Sequence, residues 1–295
     1  FDPAATCVET CSTTTWIQLC LRPFELTGRA EYAAEAERAV LNHLIAAQGP
    51  NGLDWAYYTS ANQSARPYGT KITWCASSGP RALEMFSAHL AGVVDGALCL
   101  ASVVPSSLSL RERDGVRGTS AQFGGGSVHI SGNFPEQVEI AFADGEPDGQ
   151  EFPVVFRAPW GSTLKSARVN GTPIEASTAG DGFHRIARVW KPGDVLALEF
   201  DCAVKSHVQT GGGKRWVAFS YGPYVLAQET RGEDAITEPF AGVDPAVTDP
   251  ASRIERVAGG SSPLPRFRIQ GTEIELVPFH LAGSKTTGSR TYFAF

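Results

Sequence analysis

The spacing of apolar residues in this 295-residue chain changes near residue 95, which limits it to a helical portion followed by a strand-rich one. Before the change, apolar residues recur every three to four positions. Over residues 13–26, Trp16, Leu19, Cys20 and Phe24 share one side, which predicts a helix with Gly28 just past its end as a C-cap. Pro23 predicts a kink in its last turn. Residues 31–47 place Tyr32, Ala36, Ala39, Val40, His43 and Leu44 on one face, with Glu35, Glu37 and Arg38 elsewhere, which predicts a second helix. Gly49-Pro50-Asn51-Gly52 breaks it. Residues 54–60 read as a short strand or extended loop. Residues 80–92 carry Ala82, Leu83, Phe86 and Leu90 on a stripe and form a third predicted helix, with Pro80 near its start.

After residue 95, short apolar or alternating runs stand between Gly and Pro turns: ALCLASVV, GSVHISG, VEIAFA, FPVVFRAP, SARVNGTPI, FHRIARVW and VLALEF. Runs at this spacing predict a β-sandwich, with Lys191-Pro192-Gly193-Asp194 as a turn into a strand. A second set follows the glycines at 211–213: WVAFSYGPYVLAQE, RFRIQG, EIELVPF and RTYFAF. Residues 231–253 read as a long acidic surface loop. Phe123-Gly124-Gly125-Gly126-Ser127 precedes a strand rather than a helix, so it is not a phosphate loop. The predicted fold class is mixed α and β and multidomain, divided at 1–94, 95–204 and 205–295.

The formal net charge of −6 argues against nucleic acid, whose phosphates call for a basic face. No apolar run approaches the roughly 18 residues that a membrane span needs. Phe1 begins without Met and without a signal pattern, and the first residues read as the middle of a domain whose upstream part is missing. Six cysteines in 295 residues are too sparse for a disulfide framework. Free thiols in a reducing, cytoplasmic compartment fit this usage.

The chemistry concentrates at Glu9-Thr10-Cys11 and Cys75. Thiolate and carboxylate are both zinc ligands, and zinc takes four donors in a tetrahedron. Glu9 and Cys11 reach one ion only from extended or turning backbone, because positions i and i+2 diverge on a helix; the segment before the 13–26 helix suits this. Cys75 precedes Ser77-Ser78-Gly79-Pro80, which reads as a helix start, and a helix N-terminus favours a thiolate. That makes Cys75 the leading nucleophile or ligand. The bland alternative is two small, buried, inert cysteines.

The stretches CVETCSTTTWIQLCLRPFELTG and WCASSGPRAL resemble the β-L-arabinofuranosidase family of glycoside hydrolases, family 127. FRAPWGSTLKSARVNGTPI, RVWKPGDVLALEF, VAFSYGPYVLAQE and LVPFHLAGSKTTGSRTYFAF follow the order of its accessory sandwiches, so the likeness spans nearly the whole chain. It implies the last helices of an (α/α)6 barrel followed by two antiparallel β-sandwiches that brace the barrel or a homodimer. It also implies a retaining, zinc-dependent hydrolysis of a β-L-arabinofuranoside or related carbohydrate. Glu9, Cys11 and Cys75 then match zinc ligands, and Tyr57 matches a pocket tyrosine near the sulfur or the sugar. Its nonfunctional reading is a core tyrosine.

In that family two adjacent cysteines follow the Glu-x-Cys element, and the first is the usual nucleophile. Here Trp74 stands in that place and Cys75 matches the second. Either Cys75 takes both roles, or Cys7 supplies a fourth ligand, or the usual mechanism is lost. The family's general acid/base glutamate would precede Phe1. A non-catalytic carbohydrate-binding or structural paralogue is therefore the rival reading, and another metal-dependent hydrolase or lyase is a third. Asp54 and Glu84 read as solvated acids and His43 as a core histidine; His184, His207 and His280 form no metal spacing. Trp16, Trp55 and Trp74 are either sugar platforms or core, and Trp160, Trp190 and Trp216 read as sandwich core.

Overall fold

A computed structural model describes residues 7–69, 74–105, 119–123, 126–142, 151–231, 249–257 and 264–294. Within them the architecture is mixed, with few helices and many strands. Strand β1 (Cys7–Glu9) runs directly into helix α1 (Thr10–Thr27). Helix α2 (Ala30–Ala39) continues through a π-helical segment, Val40–Leu44, into α3 (Ile45–Ala47). Short strands β2 (Trp55–Ala56), β3 (Tyr58–Ser60), β4 (Asn62–Gln63) and β5 (Tyr68–Gly69) lead to helix α4 (Trp74–Ala88). No helix among the described residues is long and apolar enough to cross a membrane.

Helix α1 ends as its sequence predicts. Gly28 adopts a φ of +66°, and its N–H bonds to the Phe24 carbonyl at 2.8 Å. Three other boundaries differ. Helix α1 begins at Thr10 rather than 13, so Cys11 lies in its first turn. Helix α4 begins at Trp74 rather than 80 and ends at Ala88 rather than 92. Proline near residue 80 argues for a helix start there, but close packing of Cys75, Ser78 and Gly79 holds the earlier turn as helix despite the missing N–H. The residues beyond Ala88 turn into a hairpin. Ala91–Val94 pairs with Ala97–Leu100 across Asp95 and Gly96, whose φ values are both positive, the turn that Asp-Gly favours.

The chain divides into two compact units. One comprises Phe1–Trp16, Ala39–Arg81 and Ala203–Phe295; the other comprises Ile17–Arg38 and Ala82–Cys202. In the second unit two sheets form. The first has the strand order 172–173, 162–169, 195–202, 137–142, 126–131, 119–123, and the second has 177–178, 184–188, 152–156, 97–100, 91–94. Alternation sets the register of the first. Val138 opposes Leu198 and Ile140 opposes Leu196, all buried, while Glu139 between them is exposed. Phe142 stacks on Trp190 at 4.4 Å and meets Phe152 edge-on at 6.5 Å. Trp190 is buried as predicted, while Trp160 and Trp216 are only half-buried.

In the same unit the Glu37 carboxylate is fully buried. It pairs with Arg157 and accepts hydrogen bonds from the Ser102 hydroxyl and the Trp160 N–H. The sequence places Glu37 off the apolar stripe, but its charge is matched inside the unit rather than by water.

In the first unit the strands 204–211, 214–221, 224–230, 275–278, 266–269 and 254–257 are neighbours in that order. Strand 288–290 joins 224–230 to β4. The Gly212-Gly213 turn, with φ of +60° and +73°, closes the hairpin between Val204–Gly211 and Lys214–Tyr221. Asn42 ties the π-helical segment to this sheet: its amide donates to the Pro223 carbonyl and accepts from the Val225 N–H. Of the acidic loop predicted at 231–253, residues 232–248 lie outside the described part; Pro250–Arg253 form a 3-10 turn.

Candidate metal centre

Two of the three predicted ligands are placed by one local junction. Strand β1 pairs antiparallel with β3, which sets Glu9 opposite Tyr58 and Val8 opposite Thr59. At the next residue the chain turns into α1. The Thr10 N–H bonds to the Tyr57 carbonyl at 3.0 Å, and its hydroxyl donates to the Ala56 carbonyl at 2.7 Å. This threonine thus fastens the first turn of α1 to the β2–β3 segment. Glu9 ends a strand and Cys11 opens a helix, which resolves the geometric objection to a Glu-x-Cys pair. The turning backbone that the motif needs is the strand-to-helix transition itself.

Helix α4 brings the third donor. Cys75 is its second residue, with 0% of its surface exposed. Its sulfur lies 3.4 Å from Cys11 Sγ and 4.0 Å from a Glu9 carboxylate oxygen, and a ligand atom of each of the three residues lies within 4.8 Å of the others. Among the described residues this is the one group of three or more such side chains placed to hold a metal. Close packing fixes α4 here. The Thr14 hydroxyl bonds to the Ser78 carbonyl at 3.3 Å, and Trp55 lies flat where a Cβ on Gly79 would come within 2.3 Å of its ring.

Acidic groups crowd together here, and each makes its neighbours harder to ionise. Burial pushes the Cys75 thiol up to about 11, helped by the hydrogen bond it donates to the Cys11 sulfur and by the nearby charge of Glu9. The thiolate expected from the helix N-terminus is therefore not the stable form in the metal-free site. Tyr57 is pushed up to about 12, first by its hydrogen bond to Glu9 and then by burial. Its hydroxyl therefore stays protonated and restrains that carboxylate. Its carbonyl lies 3.8 Å from Cys75 Sγ. Two thiols and a carboxylate at these separations fit a zinc ion in donor type and in spacing.

The other candidates lie apart from this group. The half-buried His43 bonds through Nδ1 to the Thr13 hydroxyl at 2.8 Å and serves the packing of α1. Asp54 meets Asn51 and Lys285, and Glu84 is exposed. His184 bonds to Thr178 and His207 to Ser220, while His280 packs by the Tyr224 ring. Cys99 is a half-buried thiol pushed up to about 11 by desolvation, the inert form. Cys7, the fourth-ligand alternative, is described only through its backbone in β1. Trp55 is 3% exposed, which removes it as a sugar platform, whereas Trp74 is 78% exposed. Thr10, Thr14 and Ser78 were not legible as site residues. Each acts through a backbone or sulfur contact that has no spacing signature.

Comparison with known proteins agrees with this architecture. The family model for the β-L-arabinofuranosidase GH127 catalytic domain matches residues 2–89, and that for the GH127 middle domain matches residues 119–202. The fold resembles a solved structure described as a glycoside hydrolase, with a TM-score of 0.70 and 16% identity over 97% of this chain and 52% of that one. It also resembles a GH127 β-L-arabinofuranosidase from Geobacillus stearothermophilus T6, with a TM-score of 0.70 and 17% identity over 100% of this chain and 51% of that one. A third structure, a GH127 β-arabinofuranosidase, gives a TM-score of 0.68 and 16% identity over 97% and 49%. A search of curated proteins finds no match. The chain belongs to the glycoside hydrolases, and within them to family 127. It spans about half the length of the solved structures it matches.

Proposed function

We propose that this chain contributes the metal-binding part of a retaining glycoside hydrolase acting on β-L-arabinofuranosides or related glycosides. The observation that carries the reading is the convergence of Glu9, Cys11 and Cys75 from β1, α1 and α4 within 4.8 Å. These three residues would hold a zinc ion. When bound, it would supply the positive charge that favours the thiolate and fixes sulfur orientation. Zinc completes its usual set of about four donors with one position beyond these three.

Cys75 is the nucleophile in this reading. Its sulfur attacks the anomeric carbon, the glycosidic oxygen leaves, and water later releases the sugar. Tyr57 holds the Glu9 carboxylate through its hydroxyl. It is a poor proton donor at neutral pH, since an effective general acid titrates near the working pH. The leaving oxygen therefore takes its proton from another group.

In the same proposal residues 1–94 are helices of an (α/α)6 barrel, and 95–204 and 205–295 are two β-sandwiches that brace it or a homodimer. One observation favours a second reading, a non-catalytic carbohydrate-binding relative: exposed Trp74 occupies the position of the family's usual nucleophile. Two variants separate the readings. Cys11→Ser is expected to lose metal and glycosidase activity together, and Cys75→Ser to lose activity even where metal persists. Hydrolysis of an aryl β-L-arabinofuranoside retained in both would reject the catalytic assignment. Metal without turnover in the unaltered protein would favour the binding relative.

A further inference from the structure

Ser78 is a buried polar group against the candidate ligands, and the function argued above gives it no role. Its Oγ lies 3.5 Å from Cys11 Sγ, and its side chain is nearly inaccessible. One turn further along α4, Arg81 Nη2 donates to the same Oγ at 3.4 Å. Two contacts fix the backbone at this point: Thr14 bonds to the Ser78 carbonyl, and Gly79 lies against Trp55. The backbone that carries the hydroxyl is thus held in place.

A serine hydroxyl carries one proton and two acceptor lone pairs. Arg81 is purely a donor, so its contact uses a lone pair and leaves the Ser78 proton free to point elsewhere. The neutral Cys11 thiol can itself donate to Ser78. A thiolate cannot, because it has no proton and only accepts. On metal binding the hydrogen bond must reverse, with Ser78 donating to the Cys11 sulfur. Arg81 biases the hydroxyl toward that orientation.

We propose that Ser78, oriented by Arg81, is a positioning residue that hydrogen-bonds the Cys11 sulfur in its metal-bound form. The inference rests on the metal reading of the Glu9, Cys11 and Cys75 group. It goes beyond that reading by assigning a supporting donor that sets how strongly one ligand gives electrons to the metal. Such partners of metal ligands typically change affinity by about 10–100-fold when removed.

The test is a titration of the metal-free protein with Co2+, followed through the thiolate-to-cobalt charge-transfer absorption. The unaltered chain is expected to show this band. Ser78→Ala is expected to bind Co2+ about 10-fold more weakly, with the band moved to lower energy because the sulfur lone pairs lose their hydrogen bond. Ser78→Thr is expected to restore both. Arg81→Gln, at an exposed position that threatens folding least, is expected to move both in the same direction by less. A Ser78→Ala protein with unchanged affinity and an unmoved band overturns the assignment while leaving the metal reading intact. Should Ser78→Ala fail to fold, an unmoved band in Arg81→Gln overturns it. Absence of the band in the unaltered chain removes the metal reading and the role of Ser78 with it.

Discussion

Cys75 and Tyr57 show why the same side chains read differently alone and together. A cysteine in the first turn of a helix is expected to ionise easily. Here desolvation and two neighbouring acidic groups overcome the helix terminus and keep the proton on sulfur. The sequence and its family resemblance single out Glu9, Cys11 and Cys75 as candidates but not the sign of this shift, because the sign depends on what buries them. His43 makes the point measurable. Its Nε2 is buried and makes no hydrogen bond of ordinary geometry, and burial above all lowers its pKa to about 4. The carbonyls of Val8 and Thr59 pull the other way too weakly to offset this. Between pH 4 and the unfolded value near 6.5, the unfolded chain binds the extra proton. Stability from neutral His43 is therefore complete above about pH 6.5 and falls as pH drops toward 4, by up to about 3 kcal/mol. Urea midpoints of the unaltered protein and His43→Gln across this range check it. The variant is expected to show the shallower pH dependence, and equal slopes would contradict the account.

At the scale of elements, the helix and strand types were largely legible and their limits were not. The C-cap at Gly28 follows from one residue type with one conformational preference. The start of α4 does not, because the proline at 80 carries a strong local signal for a boundary that tertiary packing overrides. The Asp95-Gly96 hairpin was present in the sequence as a turn dipeptide, yet the apolar stripe before it extended the helix too far. The packing that overrides Pro80 can be tested at Gly79. A methyl there would meet the Trp55 ring at 2.3 Å, so Gly79→Ala is expected to destabilise the protein by about 2 kcal/mol. That is a net cost despite the better helix propensity of alanine. Equilibrium denaturation measures it, and a stabilised variant would show that the junction is looser than described.

For the molecule as a whole, the change of period near residue 95 revealed a helical and a strand-rich portion. It did not reveal that each compact unit draws on separated stretches of chain. Long-range partners such as Glu37 with Arg157, or Asn42 with the 224–230 strand, have no local spacing to betray them. Removing one member of the buried pair is costly, because the other charge is left unmatched. Glu37→Gln is expected to cost about 3–5 kcal/mol, read as a lowered unfolding midpoint.

The assignment of function stands on the metal centre, and metal content by elemental analysis of the purified protein tests it most directly. The account predicts one zinc per chain in the unaltered protein and its loss in Cys11→Ser. A zinc-free unaltered protein, folded and unable to take up added zinc, would contradict it and leave Glu9, Cys11 and Cys75 as a packed cluster without a metal role.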